Sequence, residues 1–396
     1  MGFLSGTVSF DGFRIEGAEV RGFGQEHIKT LEKHSIDHLA TSAVDQPDVG
    51  FLAGDHLLDC GFALEKNVIG DALHCALRID TNQVPAAIRK AWLQMELAPL
   101  AAENPRGRPT KLQRQEAKEA VEARCQEVAA SGKFRRMSQF PLLWDARNAV
   151  LLCGGTSASA QENCLGLCDR AFELELHRLT AGRRAAEWAA AAKRRKLLDD
   201  VLPSAFHEEA STDIAWWNQE SGNFDFLGNE FLLWLWWRWQ TQSDTIELAD
   251  GTSVVGMFAR TLSLQCPLDE SGKETISAEG PTELPEAALA LCSGKLPRRA
   301  GLTLVRAGQQ YDLVLQAETF TIGGAKIRNE SDEDGDDGDG RGVLEDRIES
   351  VRALHETVGL LFEAFCQRRI DKAWSGGDLT AIRRWLKKGA GRDRSR

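Results

Sequence analysis

Residues 85–136 constrain the fold more than any other part of this chain, because two helix-forming runs there are separated by a stretch that no helix can cross. Val84-Pro85-Ala86-Ala87-Ile88 has the form of a helix start, with proline in the first turn where its missing N–H costs nothing. The run continues through Trp92 and Met95 to about Ala102. Asn104-Pro105-Arg106-Gly107-Arg108-Pro109 then imposes a turn. Thr110, with Gln113 three residues on, has the form of a capping box and opens a second helix that ends near Ser131-Gly132. Together the two runs make a helical hairpin.

The hairpin is the basic part of an acidic chain. Residues 89–136 hold eleven lysines and arginines against six glutamates, while the whole protein carries a formal charge of -11. An acidic whole repels phosphate at long range, but local arrangement decides what a surface can bind. On the second helix Lys111, Arg114 and Lys118 fall at i, i+3 and i+7 and share a face, whereas Glu116, Glu119 and Glu127 lie on another. A cationic stripe suits the tracking of phosphates, since each one neutralised releases condensed counterion. The plainer alternative is a solvated, salt-bridged helix surface. Pro105-Arg106-Gly107-Arg108-Pro109 has the form of an AT-hook core, in which prolines hold the backbone extended and arginines splay along a narrow minor groove. An exposed turn is the competing reading. The expected DNA contacts are therefore Arg89, Lys90, Arg106, Arg108, Lys111, Arg114, Lys118, Arg124, Arg135 and Arg136.

The rest of the chain reads as α+β in consecutive segments. Residues 1–84 mix alternating stretches at 6–15, 62–66 and 72–78 with a helical piece at 25–34. After the hairpin (85–136), residues 137–182 give a strand-like 142–152 with a Trp144-Asp145 turn. A helix follows over about 161–179, ended by Ala181-Gly182. Residues 183–245 begin with a long Ala-rich basic helix (183–202) and pass into a Trp-rich region with Trp216, Trp217, Trp234, Trp236, Trp237 and Trp239. There Leu227, Phe231 and Trp234 recur at helical spacing, the pattern of a core or dimer-packing face; stacking of single-stranded bases is the alternative. Residues 246–328 form a second α+β domain with strand candidates at 254–258, 301–306 and 311–318. An acidic linker (329–345) and a C-terminal helix with a basic tail (346–396) complete the chain. The tail's arginines and lysines suit weak phosphate contact or simple solubility equally.

Several function classes lose ground on the sequence. Asp334, Asp336 and Glu345 fit positions one, three and twelve of a calcium loop, but Gly338 and Asp339 stand where a ligand and the invariant glycine belong. Residues 1–10 lack the basic start and apolar run of a secretory leader, and Gly6 breaks the myristoylation pattern. The most apolar run, 226–239, is too short for a bilayer and holds Glu230 and Arg238. The nine cysteines form no CxxC pair; Cys164 and Cys168 lie one turn apart with no second pair, so buried thiols in a reducing cytoplasm are expected. No Gly-x-Gly-x-x-Gly, P-loop, Gly-x-Ser-x-Gly or His-Glu-x-x-His occurs. The expectation is a non-enzyme with no catalytic residue, metal or cofactor. Two alternatives stay open: a metal-dependent DNA nuclease using acids of the first segment or the acidic run, and a protein-interaction scaffold using the Trp-rich face.

A family resemblance rests on an ordered series of passages. It begins at residues 72–92 (ALHCALRIDTNQVPAAIRKAW) and runs through the hairpin into Lys133-Phe134-Arg135-Arg136-Met137-Ser138-Gln139. It continues over Leu142-Leu143-Trp144-Asp145 to Thr180, and resumes over 284–295, 302–305 and 325–327. With about two thirds of the chain covered in consistent order, the sequence resembles the recombination-associated protein RdgC family. The resemblance implies an elongated α/β body with a projecting basic hairpin, assembled as a ring-shaped homodimer. Such rings encircle double-stranded DNA with little sequence preference and restrain the RecA recombinase, in the cytoplasm and associated with the nucleoid. It also implies that Arg89, Lys90, Lys111, Arg114 and Lys118 face the hole. Phe134 would match a gate aromatic beside the hairpin tip, where protomers meet. Residues 183–221 and 332–340 look like insertions, and the family does not require the PRGRP tip.

Overall fold

The structure is a computed structural model that describes residues 2–17, 22–38, 46–105, 107–206, 223–267, 272–328 and 340–392, the last five without their side chains. It opens with β1 (Val8–Glu16), α1 (Gln25–Lys33), β2 (Asp48–Leu52), α2 (Leu64–Asn67), β3 (Val68–Ile69) and β4 (Ala72–Thr81). The hairpin helices α3 (Ala86–Glu103) and α4 (Lys111–Ala130) come next, then β5 (Arg136–Asp145) and β6 (Val150–Cys153). The middle of the chain holds α5 (Ala158–Phe172), β7 (Glu175–Arg178), α6 (Ala181–Ala191), α7 (Arg195–Asp199) and α8 (Phe226–Thr241). Then follow β8 (Thr245–Glu247), β9 (Ser253–Gln265), β10 (Lys273–Ala278), α9 (Pro285–Cys292), β11 (Leu296–Arg306), β12 (Gln309–Gln316) and β13 (Ile322–Arg328). Helices α10 (Gly340–Arg369) and α11 (Asp378–Arg392) end it. The fold is mixed α+β with antiparallel pairing.

Two compact units result, neither a single length of chain. The larger joins Met1–Glu19, Leu143–Thr156 and Glu175–Arg396; the smaller joins Val20–Leu142 and Ser157–Leu174. In the larger, the strand order is β10-β9-β11-β12-β13-β1-β6, with β7 on β1 and β8 on β9. Helix α8 lies against β9 and β11. It is apolar on nearly every side, which suits a helix surrounded by protein, and residues 226–237 are all buried. Trp236 packs on Phe258 at 5.9 Å, and Phe231 meets Phe320, Phe362 and Phe365. Trp234, Trp236 and Trp237 are thus core side chains; Trp216 and Trp217 lie outside the described residues. Glu230 accepts from the buried Arg369 guanidinium and from the Ser204 N–H, so the one acid in this apolar helix is paired.

The smaller unit is built on β4, flanked by β5 and β2, with β3 also pairing to it. Nine of the ten β4 residues are buried, the pattern of a strand covered on both faces. Helix α5 packs on β4 and β2 and α1 on β2, with Phe51 on Phe172 at 5.9 Å.

Several local expectations need correction. Residues 62–66 are not a strand: α2 forms there because the buried Asn67 side chain donates to the Ala53 and His74 carbonyls at 2.8 Å. The strand ends at Asp145 rather than turning there, and the Asp145 carboxylate accepts from Arg147 N–H and Asn148 in the turn that follows. The helix expected to reach 179 stops at Phe172, where Glu173 takes φ +56°, leaving room for β7. Ala181-Gly182 begins a helix instead of ending one, because Thr180 caps the Arg183 N–H. The helix expected over 183–202 breaks after Ala191: Lys193 takes φ +57° and the Arg194 N–H donates back to Ala189, a Schellman closure. The basic tail is helical (α11), with Ile382 and Leu386 buried and Arg383 donating to the Ala205 carbonyl. The expected linker is shorter by its last six residues, which start α10; residues 329–339, with the calcium-loop positions 334–339, lie outside the described part.

Candidate nucleic-acid interface

Both hairpin helices form where the sequence places them. Thr110 Oγ1 accepts from the Gln113 N–H at 3.3 Å while the Gln113 side chain accepts from the Thr110 N–H at 2.9 Å, the reciprocal capping box. Pro85 precedes the first residue of α3, and Ser131-Gly132 closes α4, with Gly132 at φ +74°.

One stripe of α4 has two halves. Ala117, Val121, Cys125 and Ala129 are buried, four residues apart, on the side that meets α3. Their partners are Val84, Ile88, Trp92, Leu93 and Phe134. Lys118 lies one heptad before Cys125, and Arg114 one heptad before Val121, so the cationic residues continue the same stripe toward the tip. There the apolar seam ends, and Lys111, Arg114 and Lys118 are exposed. Helix α3 has no buried residue at all, although it carries Trp92, Leu93, Met95, Leu97 and Leu100; Met95 is 64% exposed and Leu112 on α4 68%.

The ten expected DNA contacts separate by partner. Lys90, Arg108, Lys111, Arg114, Lys118 and Arg136 are exposed with no carboxylate within ion-pair distance among the described residues. Arg89 makes only a long contact with Glu122, at 3.8 Å. Arg124 lies over the Trp92 ring at 4.4 Å. Arg135 donates to Asp80 Oδ2 through both Nε (3.1 Å) and Nη2 (2.7 Å). Asp80 is buried and also takes a bidentate pair from Arg78, both bonds 2.8 Å. These two arginines therefore build the hairpin and its foot. Arg106 lies outside the described residues.

The tip turns as the sequence predicts, but Phe134 differs from expectation. The Gly107 N–H donates to Asn104 O at 2.8 Å and the Asn104 amide donates to Arg108 O at 2.6 Å, so the chain turns back between them. Gly107 takes φ +63° there, a conformation that glycine adopts without steric cost. Phe134 is not beside the tip. It packs with Val84, Val121 and Cys125 at the foot, beneath the Lys133 ammonium at 5.9 Å, because it follows the end of α4 directly.

Sequence reasoning missed Asp80, Trp92 and Asn82, whose amide donates to the Ala129 carbonyl at the end of α4. Arg78 and Asp80 stand two apart on a strand and so share a face, a legible signal. Nothing local marks Trp92 as the seat of Arg124.

Elsewhere, one group among the described residues could hold a metal ion: Glu16, Glu175 and His177, with donor atoms within 4.8 Å of one another. Glu16 and Glu175 face each other across β1 and β7. The Arg183 guanidinium already pairs with Glu16, which opposes a cation there. No helix in the described residues is long and apolar enough to cross a membrane.

Compared with known proteins, the chain matches no family model and no curated protein.

Proposed function

We propose that this protein binds double-stranded DNA without sequence preference, through the exposed cations of the hairpin. The observation that carries the reading is that Lys90, Lys111, Arg114 and Lys118 on the two hairpin helices are exposed, with no carboxylate within ion-pair distance among the described residues. Side chains of this kind on a helix face contact phosphates rather than base edges, which gives affinity without sequence readout. Lys90, Lys111, Arg114 and Lys118 are the principal contacts, with Arg89, Arg108 and Arg136 beside them.

The resemblance to the RdgC family extends the proposal to a homodimer that encloses DNA and restrains the RecA recombinase. The apolar residues of α3 outside the hairpin seam support self-association, since a helix bearing Met95, Leu97 and Leu100 gains stability when a partner covers them.

The test is a titration of a short duplex against wild type and a Lys111→Gln, Arg114→Gln, Lys118→Gln variant, with solution mass measured alongside. Loss of three phosphate contacts makes the slope of log K against log salt shallower by about 2.7. Unchanged affinity in the variant rejects the hairpin as the interface. Cleavage of the duplex when Mg²⁺ or Mn²⁺ is added would favour a nuclease instead.

A further inference from the structure

Strands β9, β11, β12 and β13 of the larger unit pair antiparallel, with register shifts between β9 and β11 and between β12 and β13. Phe258, Leu302, Leu304, Tyr311 and Leu315 point inward and are buried. Across the opposite face, Thr303 stands beside Met257 and Asp312, Asp312 beside Lys326, and Gln310 beside Arg328. Arg299 pairs in register with Gln316 on the same face.

This face is cationic in an acidic chain. Asp312 is the one acid among the outward positions of these four strands in the described residues, against Arg260, Arg299, Lys326 and Arg328. The Asp312 carboxylate is only 8% exposed, because Arg260 Nη2 (3.4 Å), Arg328 Nη2 (3.5 Å), Thr303 Oγ1 (2.9 Å) and Gln310 Nε2 (3.2 Å) crowd around it. One carboxylate thus holds two guanidinium groups in place while leaving their side chains 55% and 60% exposed. Each fork keeps donors free for another acceptor. Arg299 and Lys326 have no ion-pair partner among the described residues and are exposed. Arg260 reaches the face from a left-handed residue (φ +64°) in a stretch where the β9–β11 register shifts.

We infer that this sheet face is a second seat for the phosphodiester backbone of DNA, with Arg299 and Lys326 as direct contacts and Asp312 positioning Arg260 and Arg328. The inference rests on the DNA-binding reading of the hairpin and adds a surface to it. Four cations with a net excess of three suit a polyanion. The outward positions of these strands hold no aromatic residue on which a base could stack, so the contact is with the backbone and not the bases.

The test uses the full chain. Arg299→Gln with Lys326→Gln removes two charges that hold nothing else in place, so folding, checked by circular dichroism and melting, is retained. Two lost phosphate contacts make the log K against log salt slope shallower by about 1.8 and weaken binding to a short duplex at least about 10-fold at 0.1 M salt. Affinity and slope equal to wild type, with the hairpin variant impaired, overturn this inference and leave the hairpin reading intact. Wild-type protein that binds no duplex overturns both. Polyglutamate serves as the control polyanion: if its affinity falls in the variant and that of duplex DNA does not, the face serves an acidic protein segment and the inference fails.

Discussion

The Arg124 guanidinium lies over the ring of Trp92, 4.4 Å from its centroid, tying the second hairpin helix to the first. A residue counted by type as a phosphate contact is thereby engaged in packing. The hairpin's cations divide the same way: Arg124 and Arg135 are committed to Trp92 and Asp80, and Lys90, Lys111, Arg114, Lys118 and Arg136 are exposed with no carboxylate in ion-pair distance among the described residues.

Replacing Arg124 with Gln is accordingly expected to lower stability more than DNA affinity. An exposed cation–π contact contributes roughly 0.5–1 kcal/mol. Denaturant unfolding should detect that loss, while the duplex Kd changes less than for Lys118→Gln. A larger affinity loss than Lys118→Gln gives would move Arg124 back among the DNA contacts.

Asp80→Asn tests the foot of the hairpin. Arg78 is buried and would lose its charged partner, a change that costs about 3 kcal/mol when the remaining charge is inaccessible to water. Chemical denaturation reads it directly. A loss below about 1 kcal/mol would mean that the Leu57 carbonyl, which also accepts from Arg78, suffices.

Acid should destabilise both units through buried histidines. Burial pushes His74 down to about 4, and burial, with Arg184 beside it, holds His355 well below its ordinary value. Arg184 Nη2 lies 2.6 Å from His355 Nε2; arginine only donates, so Nε2 accepts and the ring is neutral with its proton on Nδ1. Because the folded state disfavours the protonated rings, their contribution is complete above pH ~6.5 and is lost as pH falls below it, for His74 down to about 4. In that window His74 removes about 1.4 kcal/mol per pH unit. Urea unfolding at a series of pH values should show the slope, and His74→Gln should flatten it. A wild-type stability that does not fall between neutral pH and pH ~5 contradicts the assignment.

Gly228→Ala probes the contact of α8 with the segment after β12. A Cβ at Gly228 would fall 1.8 Å from the Ala317 carbonyl oxygen, so the helix must retreat. Overpacking at such a site costs roughly 3 kcal/mol. A melting temperature equal to wild type would show that α8 shifts freely.

Much of the local structure is legible because it is governed by neighbours in sequence. The capping box at Thr110, the turn between α3 and α4 and the first part of β9 follow from spacing alone. The apolar run of α8 marks a packing face, and the structure decides that it is core rather than a dimer surface. Errors gather where a single backbone angle decides, as at Glu173 and Lys193, both left-handed without being glycine. Asn67 converts an alternating stretch into helix through bonds to residues 53 and 74, which no window on 62–66 contains.

The sequence alone determined that residues 85–136 form a basic hairpin, because helix periodicity, capping and proline act over a few residues. Only the tertiary structure decided which of its cations are free. Arg124 and Arg135 carry the same charge as Lys111 and Arg114, but partners 32 and 55 residues away along the chain engage them. Pairing energy depends on distance in space, and the turn between α3 and α4 and the position of β4 set those distances.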